Sequence, residues 1–72
     1  MSMSPRKKSA ASILRRARRK KGLTQIEVAE KAKLGKNTYP KIERGENQPS
    51  PSSIKKLIKV LDIEPSDVVD LL

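Results

Sequence analysis

The stretch GLTQIEVAEKAKLGKNTYPKIERG, residues 22–45, decides the fold of this 72-residue chain. Thr24 stands three residues before Glu27, and this spacing forms a capping box, which is typical of a helix start. The helix that begins here is predicted to end near Lys33, with Gln25 exposed in its first turn. Its inward side chains are predicted to be Ile26, Val28, Ala29 and Ala32.

A tight turn and a second short helix follow within the same stretch. Leu34 and Gly35 are predicted to form the turn, and a helix is predicted over residues 36–44. Tyr39 and Ile42 are three residues apart and so fall on its inner face, while the other face is polar and basic. Two short helices joined by a tight turn outline a helix-turn-helix, whose second helix can enter the major groove of DNA.

Pro40 departs from this pattern, because proline has no backbone N–H to donate. With Gly35 as the N-cap, the nitrogen of Pro40 faces the carbonyl of Lys36, where a helical hydrogen bond belongs. An interior proline costs about 3 kcal/mol and bends or breaks a helix. Either the helix begins late, with Pro40 near its first position and residues 35–39 as an irregular turn, or it continues with a kink. A disabled recognition helix is a third outcome.

A first helix is predicted before this stretch. Residues 12–20 place Ile13, Leu14 and Ala17 on one face, and Gly22 ends the pattern as a C-terminal cap. Residues 1–11 show no such periodicity and are predicted to be a flexible basic arm. The folded domain is therefore expected to cover residues 12–72.

Two more helices are predicted after residue 45. Ser50 is a good N-cap with Pro51 at the first helical position, which predicts a helix over residues 51–61. Pro65 opens a last helix. The predicted fold class is all-α, a compact domain of five short helices in which helices 2 and 3 form the helix-turn-helix.

The net charge of +9 is unevenly distributed along the chain. Residues 1–21 carry nine of the 17 basic residues and no acidic residue, so the remaining residues hold eight of each sign and net to zero. A basic block of this kind favours a polyanion through counterion release, without specifying a base sequence. The alternative is a solvated face that only aids solubility.

The composition argues against several other classes of protein. There is no cysteine and no histidine, so a disulfide framework, a cysteine zinc site and the commonest general base are all missing. No apolar run approaches the roughly 20 residues that span a bilayer. The chain is expected to be a soluble protein of the cytoplasm, associated with the nucleoid, with no membrane contact, no cofactor, no metal and no enzymatic activity.

Residues 13–72 resemble the Cro/C1-type (XRE) helix-turn-helix family, the small all-α domain of phage repressors and many bacterial regulators. The strongest matching pieces are LRRAR at 14–18, GLTQ at 22–25, AEKA at 29–32 and KIERG at 41–45. The likeness continues through residues 48–50, 57–61 and 67–71. Residues 45–62 also resemble the DNA-binding domain of MqsA-type antitoxins. The implied fold is lambda-repressor-like.

The resemblance implies two sets of contacts to double-stranded DNA. The residues that would read base edges are Gln25, Lys36, Asn37, Thr38 and Lys41. The chemistry suits this role, because asparagine can pair with adenine N6/N7 and lysine can donate to guanine O6/N7. The residues that would contact phosphates, fixing register without reading sequence, are Arg15, Arg16, Arg44, Asn47 and Gln48.

Each of these assignments has a structural alternative. Lys36 and Lys41 can form a solvated helix face, and Gln25 can anchor to a phosphate or help to cap its own helix. Asn37 can cap a third helix that starts late. Tyr39 can be imagined as a base-stacking aromatic, but its family position is in the core.

The resemblance also implies a structural ion pair between Arg18 and Glu43, which would hold the recognition helix at a fixed angle to the first helix. Arg18 is therefore expected to be part of the scaffold, although it lies within the basic run. A homodimer is inferred as well, because one short helix reads few base pairs and two-fold symmetry doubles the site. The candidate dimer surface consists of Ile63, Pro65, Val69 and Leu72, which can instead pack inside one monomer.

The leading hypothesis is a sequence-specific DNA-binding transcription regulator, a repressor that binds a palindromic operator as a homodimer. A second hypothesis belongs to another class: an antitoxin or bridging adaptor whose main partner is a toxin or other protein. Helix-turn-helix domains serve both roles, since a fold does not fix a function.

Overall fold

The structure is a computed structural model that describes residues 9–71, apart from the side chains of residues 69 and 70. All regular structure within this part of the chain is α-helical. The five helices are α1 (Ala10–Lys21), α2 (Gln25–Lys31), α3 (Thr38–Glu43), α4 (Pro51–Leu61) and α5 (Pro65–Leu71). The predicted all-α fold class is confirmed. The predicted arm lies mostly outside the described residues.

Helix α1 begins two residues earlier than predicted because Ser9 caps it. The Ser9 hydroxyl accepts a hydrogen bond from the Ser12 backbone N–H at 3.1 Å. At the other end Gly22 adopts a left-handed conformation with φ of 71°, and its N–H donates to the carbonyls of the last turn. Glycine enters this region without the steric penalty that a Cβ brings, so Gly22 ends α1 as predicted.

Helix α2 has the predicted capping box. The Glu27 N–H donates to the Thr24 hydroxyl at 3.1 Å, and the Thr24 N–H donates to the Glu27 carboxylate at 2.8 Å. The helix ends at Lys31, slightly before the predicted end, and Lys33 then takes a left-handed φ of 58°. The prediction that Ile26 points inward is wrong, since it is 54 % exposed. At about 100° per residue it lies about 200° around the helix from buried Val28.

Helix α3 begins at Thr38 and not at residue 36 as predicted. The Gly35 carbonyl accepts hydrogen bonds from the N–H groups of Thr38 and Tyr39, at 2.9 and 3.4 Å, which closes a turn ahead of the helix. Pro40 is then the third helical residue. The first N–H groups of a helix have no partner within it, so a proline there removes no hydrogen bond of α3. Of the predicted alternatives, the structure shows the late start of α3.

The core lies where α1 meets the other helices. Helix α1 packs against α3, α4 and α5, while α2 packs against α3 and α4. The buried apolar side chains are Ile13, Leu14, Val28, Ala29, Ala32, Tyr39, Ile42, Ile54, Leu57, Leu61, Ile63 and Leu71. Helix α3 therefore depends on α1 and α2 for its position. Within residues 9–71 no helix has the length and apolar character needed to cross a membrane.

Candidate nucleic-acid interface

Helix α3 has one buried face and one exposed face. The buried residues are Tyr39, Ile42 and Glu43. The exposed residues are Thr38, Lys41 and the C-cap residue Arg44. The polar and basic face of α3 is therefore directed away from α1 and α2, where it can meet a ligand outside the domain.

Lys36 and Asn37 lie in the turn before α3 and not on the helix, which corrects their predicted placement. Both side chains are exposed. Asn37 occupies the N-cap position, but its side chain makes no capping hydrogen bond among the described residues. Its amide group therefore retains its donors and its acceptor for an external partner.

Gln25 is the first residue of α2 and is half-buried. Its side-chain Nε2 donates a hydrogen bond to Glu43 Oε1 at 3.0 Å, which joins the start of α2 to the end of α3. The prediction described Gln25 as exposed and did not identify this contact. The capping of α2 is provided by Thr24 and Glu27.

Arg18 and Glu43 form an ion pair between α1 and α3. The Nε of Arg18 donates to Glu43 Oε2 at 2.7 Å, and its Nη2 donates to Oε1 at 3.1 Å. The two side chains are 15 % and 3 % exposed. The remaining guanidinium nitrogen, Nη1, donates to the Leu23 carbonyl at 3.0 Å. The guanidinium therefore links α3 to the segment between α1 and α2.

Burial and hydrogen bonding act in opposite directions on Glu43. Burial alone would raise the pKa of its carboxyl group, but the hydrogen bonds from Arg18 and Gln25, together with the nearby Tyr39 hydroxyl, outweigh burial and lower this pKa. The same contact with Glu43 raises the pKa of Arg18. Both groups are consequently charged near neutral pH.

Tyr39 is a core residue, and its side chain is fully buried. Burial raises the pKa of its hydroxyl group far above the ordinary value, and the neighbouring Glu43 carboxylate raises it further. No partner among the described residues stands within hydrogen-bonding distance and angle of this hydroxyl. Tyr39 therefore lies beside the Arg18–Glu43 pair, out of reach of a nucleic-acid base.

The five predicted phosphate-contacting residues are all exposed, but two of them already have protein partners. The Nη2 of Arg15 donates to the backbone carbonyl of Glu43 at 3.1 Å, at the C-terminal end of α3. Arg44 pairs with Glu46 at 2.7 Å on the surface. Sequence reasoning missed both contacts, although the spacing of Arg44 and Glu46 was a local signal for the second.

The predicted dimer surface is only partly within the described region. Ile63 is buried in the core of the monomer, so it offers little area to a second copy. Pro65 is exposed, while the side chain of Val69 and all of Leu72 lie outside the described residues. A cleft of about 570 Å³ opens between α1 and the α4–α5 connection. Its charged lining includes Arg16, Lys20 and Lys21 from α1 and Asp62, Glu64 and Asp67 from the other side.

The family model for helix-turn-helix domains matches residues 14–68, which include α2, the turn and α3. The chain belongs to the Cro/C1-type helix-turn-helix family. As a member of this family it is a DNA-binding transcription regulator. Curated protein sequences gave no significant match.

A solved structure supports the same family membership. The chain is similar to the restriction-modification controller protein C.AhdI from Aeromonas hydrophila, with 36 % sequence identity and a TM-score of 0.73. The match covers 81 % of this chain and 88 % of the controller protein. Nearly the whole length of that protein therefore has a counterpart here.

Proposed function

We propose that this protein is a sequence-specific repressor that binds a palindromic operator in double-stranded DNA as a homodimer. The observation that carries the proposal is the exposed polar and basic face of α3 on a domain of the helix-turn-helix family. The α3 contacts to base edges come from Thr38 and Lys41, and the preceding turn adds Lys36 and Asn37. These side chains provide the donors and acceptors that distinguish base pairs in the major groove.

Non-specific affinity is assigned to a different part of the molecule. Helix α1 carries a run of exposed basic side chains that includes Arg15, Arg16 and Arg19. Such charges release counterions from phosphates on every sequence alike. Asn47 and Gln48, in the loop after α3, add neutral contacts that fix the register. Affinity and base preference therefore depend on different residues.

The cleft between α1 and the α4–α5 connection supports the dimer proposal. Its two edges carry opposite charges, with Lys20 and Glu64 already 3.3 Å apart across it. A two-fold interface brings the same surface patch of both copies together, so a patch with one basic and one acidic edge complements itself. Pro65 lies exposed in the same region. The two recognition helices would then enter half-sites about one helical turn of DNA apart.

The similarity to a restriction-modification controller protein supports a narrower proposal about the target genes. We infer that the operator lies upstream of genes for a restriction-modification system. A protein of this kind acts where the DNA is, so its place is the cytoplasm and the nucleoid.

Selection of bound duplexes from a random pool tests the proposed function. The expected result is an enriched inverted repeat whose half-sites are separated by about one helical turn, or 10 base pairs. A pool that stays unenriched after repeated rounds would reject sequence-specific binding. An enriched single half-site, together with a sedimentation coefficient independent of concentration on that DNA, would reject the dimer.

A further inference from the structure

Glu43 collects hydrogen bonds from three side chains of the first two helices. Its Oε2 accepts from Arg18 at 2.7 Å, and its Oε1 accepts from Arg18 at 3.1 Å and from Gln25 at 3.0 Å. Its backbone carbonyl accepts from Arg15 at 3.1 Å. The end of α3, the start of α2 and the middle of α1 thus meet at one buried carboxylate.

The chemistry of this contact fixes which way the Gln25 amide points. An ionised carboxylate can only accept hydrogen bonds, and Arg18 keeps Glu43 ionised. The carboxylate must therefore face the NH₂ group of Gln25, because the amide oxygen would be repelled. The Gln25 oxygen is then turned away from Glu43, and one N–H remains unused by this contact.

We propose that Glu43 is a positioning residue for base recognition, which fixes the Gln25 amide so that it presents one acceptor and one donor in a set order. This inference rests on the proposed function, in that the α2–α3 surface must contact DNA. A side chain with one donor and one acceptor matches the N6 and N7 edge of adenine. A phosphate offers acceptors only, so it would use the N–H and leave the fixed oxygen without a role.

The surrounding contacts keep this arrangement rigid. Arg18 holds Glu43 in a bidentate pair and also donates to the Leu23 carbonyl, two residues before Gln25. The carboxylate and the backbone leading into α2 are therefore held by the same guanidinium. Without Glu43 the Gln25 amide can rotate by half a turn and exchange its donor and acceptor positions, which removes the distinction between base edges.

The contact can be tested in the free protein, without DNA. Nitrogen-15 NMR of the Gln25 side chain should show one amide proton shifted downfield and separated from those of exposed glutamines such as Gln48. The double variant Arg18→Met/Glu43→Met removes the carboxylate together with its partner, so that no buried charge is left unpaired. It should move the Gln25 signals to the position of an exposed glutamine. Wild-type Gln25 signals already at that position would overturn the proposal.

The consequence for recognition is tested by the ratio of dissociation constants for random and selected duplexes. Gln25→Ala and Arg18→Met/Glu43→Met are each expected to lower this ratio by about 10-fold, as for the loss of one bidentate base contact. Combining the substitutions should lower it no further than Gln25→Ala alone. Ile42→Val, which trims the buried face of α3 and leaves the contact in place, is the matched control and should keep the wild-type ratio.

Two results would contradict the inference. If Gln25→Ala weakens binding equally on every duplex, Gln25 contacts a phosphate and needs no fixed amide. If the losses from Gln25→Ala and from the double methionine variant multiply, Glu43 acts independently of Gln25. A wild-type protein that binds all duplexes alike would instead reject the proposed function, and the NMR result would still decide whether Glu43 holds Gln25.

Discussion

Helices α3 and α4 both carry a proline in their first turn, yet they are held in different ways. Pro51 is the first residue of α4, and the Ser50 side chain caps that helix. Pro40 is the third residue of α3, and the Asn37 side chain at its N-cap makes no capping bond among the described residues. Helix α4 is 11 residues long and α3 only six. Local signals specify α4, whereas α3 depends on tertiary contacts at Tyr39, Ile42 and Glu43.

This difference suits a recognition element. Isolated helices shorter than about 12 residues are marginal in water, so a six-residue helix must be stabilised by its neighbours. The contacts that stabilise α3 all lie on its inner face and at its C-terminal end. The exposed side chains of Lys36, Asn37, Thr38 and Lys41 take no part in these contacts, so they can vary to suit a DNA sequence.

The largest effect is expected from Glu43→Ala. This substitution leaves Arg18 desolvated without its carboxylate, which should lower the free energy of unfolding by about 3–5 kcal/mol. Urea denaturation at pH 7 measures the loss. Glu46→Ala breaks the exposed pair with Arg44 and serves as the control, with little change expected. Equal, small effects from both variants would show that α3 does not depend on the buried pair.

Acid should weaken the ion pair between Arg18 and Glu43. The pKa of Glu43 is lowered in the folded state from its ordinary value of 4.5. A carboxyl group of this kind adds stability above its unfolded-state pKa and loses it as the pH falls through its folded-state pKa. The free energy of unfolding of the wild-type protein should therefore decrease as the pH is lowered below about 4.5. The decrease should be steeper than in Arg18→Met/Glu43→Met. If the free energies of unfolding of the two proteins changed in parallel with pH, the Arg18–Glu43 ion pair would not be the source of the acid sensitivity.

A smaller effect is expected at the cap of α4. Ser50→Ala removes the acceptor of the Ser53 N–H and should lower the free energy of unfolding by about 1 kcal/mol. Ser52→Ala, in the exposed first turn of α4, should change it by less than about 0.5 kcal/mol. If Ser50→Ala were as neutral as Ser52→Ala, α4 too would depend mainly on tertiary packing.

Replacing Pro40 should alter where α3 begins more than how stable it is. In Pro40→Ala the new N–H can donate to the Lys36 carbonyl, so residues 36 and 37 should become helical. The free energy of unfolding should fall by no more than about 1 kcal/mol, because the unfolded chain gains freedom. Backbone chemical shifts of residues 36 and 37 provide the measurement. Unchanged shifts would mean that Pro40 does not set the start of α3.

The smallest effect on stability is expected from Asn37→Ala, within about 0.5 kcal/mol, because its side chain makes no capping bond. Base preference at one position of each half-site should nevertheless relax. Lys31→Ala, on the exposed face of α2, is the control and should leave the preferred sequence unchanged. Selection with both variants distinguishes these outcomes, and an unaltered preference in Asn37→Ala would remove Asn37 from the set that reads bases.

Local sequence signals were sufficient for much of the fold. Helix α4 and the start of α5 agree with prediction, because Ser50, Pro51 and Pro65 act through their own backbone geometry. The capping box of α2 was equally predictable from the sequence. The sequence alone could not decide where α3 begins, because a proline near a helix start is compatible with either a late start or a kink.

Features that depend on distant residues were not predictable in the same way. Ile26 was misplaced because a seven-residue helix offers several apolar faces, and only its neighbours decide which one is buried. The Gln25–Glu43 contact joins residues 18 positions apart, so no local sequence pattern predicts it. The Arg18–Glu43 pairing was implied by family resemblance, but its geometry was not.

The central claim is that the α2–α3 surface reads bases while the basic residues of α1 supply affinity for any duplex. Titration of the selected duplex and a random duplex, each across a range of salt concentrations, tests it most directly. The claim predicts that the selected duplex binds at least about 1,000-fold more tightly and that this preference persists as salt weakens both complexes. Equal affinities with the same steep salt dependence would contradict the claim and leave a non-specific polyanion binder.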